Sequence, residues 1–236
     1  MALSLILVRH GQIEANRDGH WHGSTDSPLL AKGERQARRT GRYFARRRTP
    51  LSAIYTSPLA RCQTTANLIS TAINAERAAL ARRSRWSRTL HRLSWGALGE
   101  QSEAPDQHQL IPEVVDNLRE YAIGEWEGLS FSELAKTHQF VDQAIADHDY
   151  APPKGESLRQ VSERMTRALQ HVHERHGPED RVLVVAHGAA LAVALATLLN
   201  NDPGMWPDYH FDNCSISELA LQGMPELHNF NLTGHL

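Results

Sequence analysis

Continuous apolar runs alternate along this chain with longer amphipathic stretches. Leu5, Ile6, Leu7 and Val8 form one run that breaks off in Arg9-His10-Gly11. Residues 181–186 repeat the pattern, with Val182, Leu183, Val184 and Val185 ending in Ala186-His187-Gly188. Unbroken rather than alternating hydrophobicity predicts strands buried on both faces, as in a parallel sheet. Residues 53–56, 215–221 and 227–230 read as further strands. Helices are predicted between them. Residues 32–48 set Ala37, Gly41, Phe44 and Ala45 against Arg38, Arg39, Arg42 and Arg46, and Pro50 stops the run. Ser57-Pro58 has the chemistry of a helix start. Residues 130–136 and 139–147 look helical, and after the Pro152-Pro153 turn Leu158, Val161, Met165, Ala168, Leu169 and Val172 recur at helical spacing until Gly177-Pro178. An alanine- and leucine-rich helix follows Gly188. This order predicts an α/β fold, a three-layer α/β/α sandwich around a mostly parallel sheet, with right-handed crossovers.

Two buried strands would then deliver His-Gly to one carboxyl edge, where open α/β sheets bind ligands. A neutral imidazole can attack phosphorus, and its phosphoramidate is labile enough to turn over. Arg9 beside His10 offers planar paired donors to phosphate oxygens. Gly11 leaves room for phosphate to approach the backbone. Arg61, one turn inside the helix that starts at Ser57, is placed to point at the same edge.

Composition narrows the setting. The 236 residues allow one or two domains and a substantial core, and a formal charge of −2 gives no general pull toward nucleic acid or membrane. Cys62 and Cys214 are too few for a disulfide framework and lack metal-ligand spacing, which suits a reducing compartment. The first apolar run is too short and too directly joined to Arg9 for a signal peptide, and no apolar stretch has membrane-spanning length, so the expected location is the cytoplasm. His20 and His22 in the polar loop 18–28 could ligate a metal, but loop polarity explains them better, and the loop is a candidate substrate wall.

Taken in order, the motifs resemble the histidine phosphatase superfamily, which includes phosphoglycerate mutases and many small phosphatases. The resemblance rests on Arg9-His10-Gly11 with Asn16, Ser57-Pro58-Leu59-Ala60-Arg61, Leu118-Arg119-Glu120, Gly124-Glu125-Trp126-Glu127-Gly128, Gly155-Glu156-Ser157 and His187-Gly188. It implies a phosphoglycerate mutase-like fold and a phosphomonoester hydrolase working through phosphohistidine on a small phosphorylated metabolite. His10 would be the nucleophile, and Glu120 would protonate the leaving oxygen and then activate water. Arg9, Arg61, His187, Asn16 and Gly11 would form the phosphate site, with His187 as a cation or hydrogen-bond donor. No metal or cofactor is needed, because two guanidiniums and an imidazole supply the charge.

Three departures stand out. Ile13 replaces a usual hydroxyl residue, Thr64 replaces a frequent glutamine, and the connection over about 74–112 is expanded. That segment mixes Arg82, Arg83, Arg85, Arg88 and Arg92 with Trp86, His91 and Trp95, and is expected to be an insertion in a single domain, acting as a loop or lid. Leu118-Arg119-Glu120 and the modest distance to Gly155 favour the phosphatase branch over a mutase. A non-catalytic phosphate-binding relative and a zinc hydrolase using some of the 14 histidines remain as alternatives.

Overall fold

The two apolar runs that end in histidine lie side by side. In the computed structural model, which describes residues 3–47, 50–94, 109–221 and 223–236, β1 (Ser4–Arg9) pairs in parallel with β4 (Arg181–Ala186). Beyond β4 come β2 (Ala53–Thr56) and β3 (Pro112–Val114), both parallel. On the other side β5 (Ile216–Ala220) runs antiparallel to β1, and β6 (Glu226–Leu232) closes the sheet antiparallel to β5. The order β3-β2-β4-β1-β5-β6 is the mostly parallel sheet that the apolar runs predict.

Each buried strand feeds two cores. Leu5 and Leu7 of β1 point into one cluster with Val182 and Val184, while Ile6 and Val8 point into another with Leu183 and Val185. This is why these strands are apolar at every position. The second cluster is covered by α2 (Ala31–Arg46) and α3 (Ala60–Ser94), through Ala37, Phe44, Ala66 and Ile69. The first is covered by α6 (Leu158–Glu174) and α7 (Gly188–Asn200). The whole predicted stripe of α6 is buried, and its start is a capping box between Ser157 and Gln160. Short helices α1 (Glu14–Asp18), α4 (Phe131–Lys136) and α5 (Phe140–Ala146) frame the carboxyl edge of the sheet.

Two expectations change. Ser57 stands ahead of the helix: α3 begins at Ala60, whose N–H donates to Asp26 Oδ2 at 2.7 Å, while the Ser57 hydroxyl accepts from Leu59 N at 3.3 Å and faces His187 Nε2. Residues 74–94 are not a loop, because α3 runs on through Ser94. The side chains of Arg83, Arg85, Trp86, Arg88, His91 and Arg92, and all of Trp95, lie outside the described residues. Asn74 nevertheless brings the segment's ends together, exchanging hydrogen bonds of 3.0 and 3.1 Å with the Leu110 backbone. Among the described residues, no helix is long and apolar enough to cross a membrane.

Candidate active site

The adjacent parallel strands β2, β4 and β1 end in Ser57, His187 and His10. Backbone bonds carry the ladder past the strand ends, from Ser57 N to Val185 O and from His10 N to Ala186 O, both 3.0 Å. The His10 and His187 rings meet edge to face with centroids 5.3 Å apart.

His10 is buried, and its Nδ1 lies 2.8 Å from Gly11 O. A carbonyl only accepts, so Nδ1 carries the proton and Nε2 keeps its lone pair. Burial, then the charges of Arg61 and Arg9, holds this imidazole well below the ordinary histidine range. The ring is therefore neutral and oriented. Arg9 lies beside it in the same cleft, with one Nη1 hydrogen bond of 2.5 Å to Phe211 O, while its buried Nε has no partner among the described residues. An unpartnered buried guanidinium N–H is costly unless an anion meets it. Gly188 is a snug neighbour, since a Cβ there would sit 3.2 Å from that Nε.

Glu120 reaches the cleft from the loop after β3, with its carboxylate at the start of α7. Oε1 accepts from Ala190 N at 2.8 Å and Tyr121 N at 2.9 Å, and Oε2 from Ala189 N at 3.3 Å. A carboxylate at a helix N-terminus suits the helix dipole. The loop itself is held by Arg164, which donates to Asn117 O, Arg119 O and Glu120 O and pairs with Glu156 at 2.7 Å. Asn16 also lines the cleft; its Oδ1 accepts from Ile13 N and Asn213 Nδ2, so its amide N–H groups are left for a ligand.

Three residues sit differently from expectation. Arg61 is 1 % exposed and donates four hydrogen bonds inside the protein, to His187 Nδ1 and to the carbonyls of Thr25, His22 and Gly23. It does not line the cleft, and its bonds hold His187 and the turn at residues 22–25. His187 is fully buried, and because Arg61 can only donate, its Nδ1 accepts; Nε2 faces Ser57 Oγ at 2.7 Å. Burial and the Arg61 charge hold it well below its ordinary range, so of the two expected forms, cation or hydrogen-bond donor, it takes the neutral one with Nε2–H as donor. Gly11 spends its N–H on Thr65 Oγ1 at 3.0 Å, and its missing Cβ is demanded by Gly33, whose carbonyl oxygen would stand 2.5 Å away. Packing of α2 against the end of β1 by itself requires this glycine.

A model of the histidine phosphatase superfamily (branch 1) matches residues 5–84 and 102–232. The chain belongs to that superfamily. This superfamily member is 28% identical to the uncharacterized phosphatase PhoE of Bacillus subtilis (strain 168) over 233 residues, covering 99% of this chain and 96% of the relative. It is 33% identical to the probable phosphoglycerate mutase GpmB of Klebsiella pneumoniae over 226 residues, 95% of this chain and 88% of that one. Its fold matches the phosphoserine phosphatase of Entamoeba histolytica solved with 3-phosphoglyceric acid, at a TM-score of 0.75 and 23% identity over 99% of this chain and 98% of that one.

Sequence reasoning missed the supports. Ser57 was visible only as a helix start and motif residue, not as the partner of His187, and Asn213 was unmarked, yet Asn213 Nδ2 bridges His10 O and Asn16 Oδ1, each at 3.0 Å. Nothing local in the sequence marks a residue whose partner is 130 or 203 positions away, as for Ser57 with His187 and Asn213 with His10. The aromatic wall of Phe131, Trp206 and Tyr209 was equally unmarked.

Proposed function

We propose that this superfamily member hydrolyses small phosphomonoesters through a phosphohistidine on His10, without a metal ion. The observation that carries this reading is the His10 tautomer, with Nδ1–H held by Gly11 O and Nε2 left free beside the unpartnered Nε–H of Arg9. In the first step His10 Nε2 bonds to phosphorus as the P–O bond to the alcohol breaks, and the leaving oxygen takes a proton from Glu120. In the second, water bonds to phosphorus, the N–P bond breaks, and Glu120 receives the water proton. Inorganic phosphate and the alcohol leave, and His10 is restored. Arg9 and the Asn16 amide hold phosphoryl oxygens, and the buried Arg61 charge stabilises them from behind His187.

The test is hydrolysis of an aryl phosphate at mildly acidic pH with chelator present. Activity that resists chelation and vanishes in His10→Ala is expected; activity in the variant, or loss on chelation, overturns the reading. The likeness to a probable phosphoglycerate mutase gives a second reading, favoured if turnover with phosphoglycerate depends on a bisphosphoglycerate primer. We further read residues 1–236 as one cytoplasmic domain with an insertion at about 74–112. The bonded ends at Asn74 and Leu110, and the unmatched residues 85–101 in the family model, support that division.

A further inference from the structure

The cleft continues well past its reactive end. Beyond Arg9, His10 and Glu120 it is walled by Trp21, Phe131 and Trp206, with Ile13 and Ala192 among the smaller apolar groups. The Trp21 ring stands edge-on to Phe131 at 5.7 Å and to Trp206 at 6.2 Å, so the wall is one continuous aromatic surface. Phe131 is 51 % exposed although α4 could have presented a polar residue there. A large apolar side chain left at the mouth of a cleft is a contact surface waiting for an apolar partner.

The charges are as one-sided as the walls. Among the described residues lining this cleft, Arg9 is the sole arginine or lysine and Glu120 the sole carboxylate. Arg9 sits at the phosphoryl end. A substrate with a carboxylate next to its phosphoester would bring a second negative charge into aromatic surroundings with no permanent cation to meet it, and such burial is costly. The cleft also holds His20, His22 and His210, but burial and the Arg61 charge push His22 below the ordinary histidine range, toward the neutral form.

Building on the phosphatase reading, we propose that the cleft selects phosphomonoesters whose alcohol carries a flat apolar or aromatic ring over those carrying a carboxylate. Phe131 and Trp206 are the specificity-determining residues. The ring lies against their faces while Arg9 and His10 take the phosphoryl group, and the preference shows chiefly as a lower KM.

The experiment compares esters of ordinary alcohols, so that leaving-group acidity does not decide the result. At pH 7.5, kcat/KM for 2-phenylethyl phosphate is expected to exceed that for ethyl phosphate and for 3-phosphoglycerate by about tenfold or more, the scale of discrimination available to an apolar pocket. Phe131→Ala and Trp206→Leu should each shrink the phenylethyl-to-ethyl ratio several-fold through KM. Phe131 is exposed enough that its variant tests the idea even if Trp206→Leu folds poorly. Faster turnover of 3-phosphoglycerate, or a ratio unmoved by both variants, overturns the proposal. Calorimetric binding of 2-phenylethylphosphonate against 3-phosphonopropionate separates the two readings. Tighter phenylethylphosphonate binding without hydrolysis of any ester would sink the phosphatase reading and keep the selectivity; hydrolysis with tighter phosphonopropionate binding would sink the selectivity alone.

Discussion

Glu127 and Arg61 grip the same turn of chain from opposite sides. Glu127 accepts from Gly23 N at 2.8 Å, Ser24 N at 2.9 Å and Thr25 N at 3.2 Å, while Arg61 donates to the carbonyls of His22, Gly23 and Thr25. The turn thereby joins a carboxylate from one motif to a guanidinium from another, and Arg61 passes the constraint on to His187 over 3.2 Å. The turn is also part of the cleft wall, through His22.

Removing either grip should loosen the site from a distance. Glu127→Ala deletes four backbone hydrogen bonds to one charged group, three from this turn and one from Ile123 N, and is expected to cost about 2–3 kcal/mol of stability, read as a lower urea midpoint at unchanged slope. Arg61→Lys keeps a charge but loses the fork of donors. A roughly hundredfold fall in kcat is expected for it, as for loss of one charge-stabilising group. Wild-type kcat in Arg61→Lys would show that neither the fork nor its hold on His187 matters.

Arg164 makes a parallel prediction for the acid. Its guanidinium binds three carbonyls of the loop that ends in Glu120 and pairs with Glu156, and the Arg164 side chain itself is 7 % exposed. Arg164→Lys cannot reach all of these partners. The Glu120 carboxylate should then lose its fixed place at the α7 N-terminus, lowering kcat by about tenfold or more with KM changed little. A KM effect without a kcat effect would place Arg164 in substrate binding instead.

The strands and the nucleophile were readable because their signals are local. A run such as Leu5 to Val8 is apolar at every position only when both faces are covered, and Arg9-His10-Gly11 sits directly after it. Residues that act through contacts made across the fold were not readable. His187 was visible as a histidine at a strand end, but its neutrality follows from Arg61, 126 residues earlier, aiming a donor at Nδ1. Gly11 was visible as a glycine, but the reason for it is the backbone of Gly33. The far end of α3 is not legible because residues 74–94 carry charges and one tryptophan, Trp86, on no clear stripe, although the backbone continues as helix.

The Gly11–Gly33 contact is open to direct test. A Cβ on Gly11 would stand 2.5 Å from Gly33 O, and one on Gly33 would stand 2.3 Å from Gln12 O. Both clashes are with backbone, so neither can be relieved by turning a side chain. Gly11→Ala and Gly33→Ala should each destabilise by about 1–3 kcal/mol, the usual range for overpacking, by forcing α2 away from the end of β1. The double variant should cost less than the sum, because one displacement relieves both contacts. Full additivity in a double-mutant cycle would mean that the two glycines do not share one contact.

The two site histidines predict the acid sensitivity of the fold. His10 and His187 are buried, with their pKa values held well below the ordinary 6.5, first by burial and then by the Arg61 charge. The unfolded chain binds their protons near pH 6.5, whereas the folded chain refuses them until much lower pH. Below 6.5 the unfolded state therefore holds more protons, and stability must fall as pH falls. The contribution is complete above pH 6.5 and erodes below it, by up to about 1.4 kcal/mol per pH unit for each imidazole. Carboxylates such as Asp180, whose pKa is lowered from 3.8 by the Ser52 hydroxyl, begin to contribute only at more acidic pH. Urea midpoints taken between pH 7.5 and 5 thus isolate the histidines, and His187→Gln should remove about half of the slope attributable to this pair. By the same neutrality, the acid limb of kcat/KM assigned to His10 should lie well below pH 6.5. A stability profile flat from pH 7.5 to 5 would mean that one or both imidazoles already carry a proton in the folded protein, and that His10 does not enter the reaction as the neutral nucleophile.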